Sequence, residues 1–304
     1  MKKHKFLALL CLTPLFLTSC DRDPIKPAFA KKGSSTSMIG FDLSLAMKGM
    51  GNKFLTEDEL PAFTLKIKDK SYKQAKILRG KKTISNKVSV ETRKHKITSD
   101  PSNEVTEIVS VYKTRETNKN KKIDYNAGGS YSKTTEYIQK GTHDGETFIA
   151  SYNKQNETYT PIAYADEDNF KEFYNRYLLS IVGECLDDVF DFPDDEEKTT
   201  YYINKDTYTY ESSDTMTDEE MHSTTSIKSI TQFQFLKNDG IKFTYYQKRV
   251  ITYPLDTETE FVRSGDKLEL TYADSFTYTL KRNKKSVKSK GTSSYRYYSN
   301  DNEY

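Results

Sequence analysis

Along most of the chain, apolar and polar residues alternate one for one, the pattern of strands with one buried and one solvated face. Phe63, Leu65 and Ile67 alternate with Thr64, Lys66 and Lys68, which predicts a half-buried strand with lysines on its outer face. From Thr83 the period of two dominates. Ile84, Val88 and Val90 share one face, Val105, Val109 and Val111 a second strand's face, and Tyr131, Thr135 and Tyr137 a third, followed by Phe148, Ala150, Tyr152 and the stretch Tyr159 to Tyr164. Between them stand turn clusters: Ser99-Asp100-Pro101-Ser102-Asn103, Asn118-Lys119-Asn120, Ala127-Gly128-Gly129 and His143-Asp144-Gly145. Closely spaced strands joined by short polar turns predict an antiparallel meander.

One segment breaks this rhythm. Between Asp166 and Val189, the residues Phe170, Phe173, Tyr174, Tyr177, Leu178 and Ile181 recur at three- and four-residue steps, which predicts an amphipathic helix lying across a sheet. Asp166, Glu167 and Asp168 suit its N-terminal end, and Pro193 marks its exit. Alternation then resumes through Ile241, Phe243 and Tyr245, through Ile251 and Tyr253, and through Leu268, Leu270, Phe276, Tyr278 and Leu280, with turns at Asn238-Asp239-Gly240 and Ser264-Gly265-Asp266. Three weaker patterns add a strand from Met38 to Met47, one helical turn behind the capping box Thr56-Glu57-Asp58-Glu59, and a short helix from Ser71 to Leu78 ending at Gly80. Tyr202, Tyr208 and Tyr210 read as one strand. The fold class is therefore mainly β (α+β): an antiparallel meander or curved half-barrel sheet with one central amphipathic helix packed on it.

The first residues obey a different rule. Lys2, Lys3 and Lys5 precede an apolar run from Phe6 to Leu17, too short for the ~20 residues that span a bilayer and interrupted by Pro14. Leu17-Thr18-Ser19 then leads into Cys20. This leader resembles the lipobox signal peptide of bacterial lipoproteins. The resemblance implies cleavage before Cys20, a thioether-linked diacylglycerol with or without an N-acyl chain (palmitate is typical), and a protein held on the extracytoplasmic face of the cell membrane or outer envelope. Two or three chains anchor durably where one does not. The expected organisation is a signal peptide over 1–19, a lipidated N-terminus and flexible tether over 20–37, a β-rich domain over 38–298 with its helix near 166–190, and a polar tail over 299–304.

Composition sharpens this reading. The chain has 3 Cys, of which Cys11 leaves with the leader and Cys20 carries lipid, so Cys185 stands alone and no intramolecular disulfide is available. With 30% charged residues but 23 Tyr and 16 Phe, aromatic side chains must supply much of the core, and disorder is excluded by their number. Lysines crowd the segment from Lys66 to Lys82 and again from Lys281 to Lys290, whereas the helix region is acidic, so the net charge of +3 hides a dipolar layout. Basic residues among aromatics suit single-stranded nucleic acid, but an exported protein meets anionic lipid and envelope polymers instead, and no nucleic-acid partner is expected.

Catalytic signatures are sparse. His95, His143 and His222 stand apart in charged or turn-like segments, and Cys185 lies in the apolar stripe of the helix, where a free cysteine behaves as a small hydrophobe. No catalytic residue and no cofactor is assigned. Asp187, Asp188, Asp191, Asp194 and Asp195 crowd the negative end of the helix dipole. Their oxygens suit Ca²⁺, but the ordered EF-hand loop is missing, and lysines or solvent would serve as well.

Two functions follow. The first is a non-catalytic binding module for an apolar or amphipathic ligand, with the helix as plug or lid over an aromatic-lined sheet. In outline alone, this is similar to half-barrel lipoproteins that carry lipids. The second is a surface-interaction or envelope-maintenance protein that holds a protein, glycan or anionic polymer.

Overall fold

The computed structural model describes residues 25–36, 61–118, 129–143, 145–165, 167–187, 198–237, 240–256, 259, 262–283 and 286–289. Strands β1 (Ser34–Thr36), β2 (Phe63–Arg79), β3 (Lys82–Asp100), β4 (Val105–Asn118), β5 (Tyr131–His143), β6 (Glu146–Asn153) and β7 (Thr158–Tyr164) precede helix α1 (Phe170–Asp187). Strands β8 (Thr199–Asn204), β9 (Thr207–Asp218), β10 (Ser223–Leu236), β11 (Gly240–Pro254) and β12 (Lys267–Arg282) follow it. All twelve form one antiparallel sheet in the order β1-β8-β9-β10-β11-β12-β2-β3-β4-β5-β6-β7. The sheet is open, with β1 and β7 as its edges, and an open sheet of this width curls.

The order explains the helix. Each half of the sheet is a meander, and the pairing of β12 with β2 joins the halves. The connection from β7 to β8 must therefore pass from one side of the sheet to the other, and α1 lies within it. Its buried stripe meets side chains from both halves: Phe170, Tyr174 and Leu178 pack in one core with Leu65 of β2, Ile149 of β6 and Phe233 of β10. Phe63, Tyr174, Leu178, Phe233 and Tyr278 are each no more than 1% exposed. Side chains of this size contribute about 1.5–3 kcal/mol each when fully buried. The Tyr174 hydroxyl is not wasted there, since it shares a 2.6 Å hydrogen bond with Thr106, whose Oγ1 donates to Ser99 Oγ at 3.0 Å. Burial pushes that phenol far above the ordinary tyrosine range, so it stays neutral, although the bonds with Thr106 and Ser99 oppose the shift.

Two sequence expectations are corrected. Ser71 to Leu78 is not a helix but the second half of β2, held in register by β3 on one side and β12 on the other. Paired neighbours on both sides take up its backbone hydrogen bonds, and this tertiary context overrides local helical spacing. Gly80, expected as a helix cap, instead takes a left-handed turn conformation (φ 59°) between β2 and β3. Tyr202 to Tyr210 is likewise two strands, β8 and β9, folded back at Lys205-Asp206 with Lys205 at φ 52°. The expected elements at 38–47 and 56–59 lie outside the described residues.

Candidate functional site

Side chains alternate along a strand, and residues paired across strands share a face, so the registers sort the sheet into two surfaces. Phe63, Leu65 and Ile67 of β2 lie on the helix face, together with Ile97 of β3 and Tyr278 and Leu280 of β12. The opposite face holds Lys66 and Lys68 of β2, Lys94 and Lys96 of β3, Val109 and Val111 of β4, and Thr277 and Thr279 of β12.

Two chain segments cross that opposite face. Residues 25–36, within the stretch expected as tether, lie on it. Ile25 is 1% exposed in a cluster with Tyr72, Val88, Ile230, Tyr246 and Ala273. Gln232 then grips Ala30, accepting from its N–H at 2.7 Å and donating to its carbonyl at 3.1 Å. The segment finally joins the sheet as β1, where Gly33 is required because a Cβ would overlap the Ile203 carbonyl. On the other side, Val287 packs against Val105, Tyr137 and Tyr152, and its N–H donates to Asp100 at 3.0 Å. Burial opposes ionisation of Asp100, but hydrogen bonds from Ser102, Val287 and Asn103 outweigh it and hold the carboxyl below its usual range.

Between the two segments the face is open. On β3, Lys94 and Lys96 lie between Val90, beneath the N-terminal segment, and Asp100, beneath the C-terminal one. Here a groove of about 410 Å³ is lined by Lys66, Lys68, Lys94 and Lys96 over Val109 and Val111, with Thr277 and Thr279 on its β12 side. That volume falls within the ~300–1,000 Å³ typical of small-molecule sites. Lys66 stands directly opposite Lys96, and Lys68 directly opposite Lys94. Like charges in that arrangement repel. Among the described residues, none of these four lysines has a carboxylate within ion-pair distance. The arrangement offers ammonium donors at the rim and methyl groups at the floor, the chemistry of an amphipathic anion's binding site.

The helix face beyond α1 has the opposite character. Asp69, Glu91 and Asp274 gather there beside Arg93, which donates to Glu91 at 2.6 Å. Partial burial raises the Asp69 pKa; Glu91 adds to the shift and Arg93 opposes it. Asp274 is also raised, first by burial and then by the charge of Asp69. His95 stands on this face with its Nδ1 2.9 Å from Ser110 Oγ. Among the described residues, no three His, Cys, Asp or Glu side chains are placed to hold a metal ion.

Most of the residues singled out in the sequence lie elsewhere. Leu17, Thr18, Ser19 and Cys20 are outside the described residues, as are Asp188, Asp191, Asp194 and Asp195. Asp187 closes α1 and Cys185 lies in its last turns, but their side chains are also outside the described part. His222 sits exposed in the β9–β10 turn at φ 47°. The groove itself was half legible: alternation placed Lys66 and Lys68 on an outer strand face. Nothing in the sequence showed that Lys96 and Lys94 would face them, because only the β2–β3 register aligns the two pairs. The strand aromatics expected to line a cavity beneath the helix instead fill the core there: Phe233 and Phe243 lie 4.9 Å apart, and Tyr278 is fully buried beside them.

These features define the class: among the described residues, an open antiparallel half-barrel of twelve strands with one helix on one face. No family model and no curated protein matches the sequence. Among solved structures, Pseudomonas aeruginosa OccK7 (OpdD) aligns at 6% identity and a TM-score of 0.16, over 72% of this chain and 98% of that one. The β-barrel of the InvG secretin domain from the Salmonella SPI-1 injectisome NC-base aligns at 9% identity and a TM-score of 0.14, over 81% and 68%. At these scores neither likeness carries an argument about this chain.

Proposed function

We propose that this protein is a non-catalytic binding module, held outside the cytoplasm by lipid on Cys20, that takes an amphipathic anion in the groove between β12 and β4. The observation that supports this reading most directly is the double lysine pair over the valine floor. Two facing like-charge pairs lower stability, and a bound anion would offset them. A phosphate or carboxylate head group would sit among Lys66, Lys68, Lys94 and Lys96, with alkyl carbons against Val109, Val111 and the lysine stems.

Isothermal titration with dodecyl phosphate, dodecyl maltoside and inorganic polyphosphate, each surfactant below its micellar concentration, tests the proposal. Saturable binding of dodecyl phosphate, tighter than either of the others, is the expected result. Equal binding of both surfactants would remove the role of the lysines. Tighter binding of polyphosphate than of the alkyl phosphate would replace the amphipathic ligand with an anionic polymer.

A further inference from the structure

The place where the N-terminus meets the sheet determines which way the molecule faces its membrane. We infer that the lysine face is a docking surface for the anionic head groups of the membrane that holds Cys20. This deepens the proposed function and rests on its lipid anchor.

Ile25 is buried on the lysine face, in a cluster of side chains from β2, β3, β10, β11 and β12, near the middle of the sheet. Cys20 precedes it by five residues, which extend at most ~18 Å. The cluster is centred on β12, which lies five strand spacings, about 24 Å, from the edge strand β1 and six, about 29 Å, from the other edge, β7. From Tyr72 to the end of β2 at Arg79 is about 23 Å. Measured from the centre of that cluster, Cys20 itself therefore stays on the Ile25 side of the sheet. The bilayer lies against the face on which Ile25 sits.

Beyond the groove, the same face carries Lys113 on β4, Lys242 and Lys248 on β11, and Lys281 on β12. On strands β11, β12, β2, β3 and β4 its carboxylates are all engaged: Glu269 with Lys76 at 3.4 Å, Glu107 accepting from the Tyr137 hydroxyl at 3.1 Å, and Asp100 accepting from Val287. Asp69, Glu91, Glu116 and Asp274 of these strands all fall on the helix face. The surface turned to the bilayer is thus the basic one. Each lysine near an anionic leaflet contributes about 1 kcal/mol, roughly a fivefold gain in the docked population.

Chemical footprinting of the full lipidated protein tests this. The protein is reconstituted in phosphatidylcholine vesicles with or without phosphatidylglycerol, and lysines are labelled with a water-soluble acylating reagent. Mass spectrometry of the N-terminal peptide first reports whether Cys20 is lipidated, which tests the anchor separately. Lys66, Lys68 and Lys94 are expected to lose reactivity when phosphatidylglycerol is present and to regain it at high salt, while Lys73 and Lys87 on the helix face stay reactive. Equal labelling of both faces, or protection of Lys73 and Lys87, would overturn the inference.

The double variant K68E/K96E puts one carboxylate opposite one ammonium in each pair, so it should fold at least as well as the parent. Loss of two lysines alone predicts about a 25-fold fall in the docked population, and repulsion of the two new carboxylates by the leaflet deepens it, read as renewed labelling of Lys66 and Lys94. Unchanged protection in this variant also overturns docking. Saturable dodecyl phosphate binding by the parent without vesicle protection would sink the docking surface alone and leave the groove reading standing.

Discussion

Replacing Lys94 and Lys96 with threonine should make the protein more stable, an unusual outcome for a double substitution in the longest strand of the sheet. The substitution K94T/K96T removes both direct like-charge contacts, Lys66 with Lys96 and Lys68 with Lys94. A like-charge pair directly opposite costs about 0.2–1 kcal/mol. Lys66, Lys68 and Lys94 are exposed and Lys96 half-buried, so each pair belongs in the lower half of that range, and the two together come to about 1 kcal/mol. Threonine, a better strand former than lysine, adds a few tenths in the same direction. Urea unfolding followed by circular dichroism measures the gain as a higher midpoint at low salt. The charge component must vanish as the screening length falls from about 10 Å at 0.1 M salt to about 3 Å at 1 M, leaving only the strand-propensity part. A variant no more stable than its parent at low salt, or a gain that salt leaves untouched, would refute the claim that the groove stores electrostatic repulsion. The same variant should bind dodecyl phosphate more weakly, joining a gain in stability to a loss of function.

Leu178, 1% exposed at the contact between α1 and the sheet, should cost about 2–5 kcal/mol when cut to alanine, read as a lower thermal midpoint; a change under about 1 kcal/mol would mean that the helix does not pack as described. Asp69 has a raised pKa, so the folded protein holds its proton more tightly than the unfolded chain does, and the parent gains stability as pH falls through the folded-state value. Asp69→Asn should accordingly raise the melting temperature at neutral pH and give no advantage below the ordinary aspartate pKa of about 3.9. A loss of stability at neutral pH would show that the attraction to Arg93 outweighs burial.

The alternation of Phe63-Leu65-Ile67 with Thr64-Lys66-Lys68, and the three- and four-residue spacing from Phe170 to Ile181, were enough to name strands, a helix and an antiparallel sheet. Such periods are local, and every strand needs one buried face wherever it pairs. The errors arose where pairing overruled local pattern: Ser71 to Leu78 became strand because β3 and β12 flank it, and Tyr202 to Tyr210 split at a two-residue turn. Which strands are neighbours is a long-range matter. The pairing of β12 with β2 unites residues about two hundred positions apart, and it carries α1 across the sheet and sets Thr277 and Thr279 beside the lysines. The four lysines were visible as residues, and their clustering along β2 was visible as charge. Their convergence into two facing pairs, and the seating of Ile25 on their side of the sheet, required the register and the packing of distant segments, which no local period encodes.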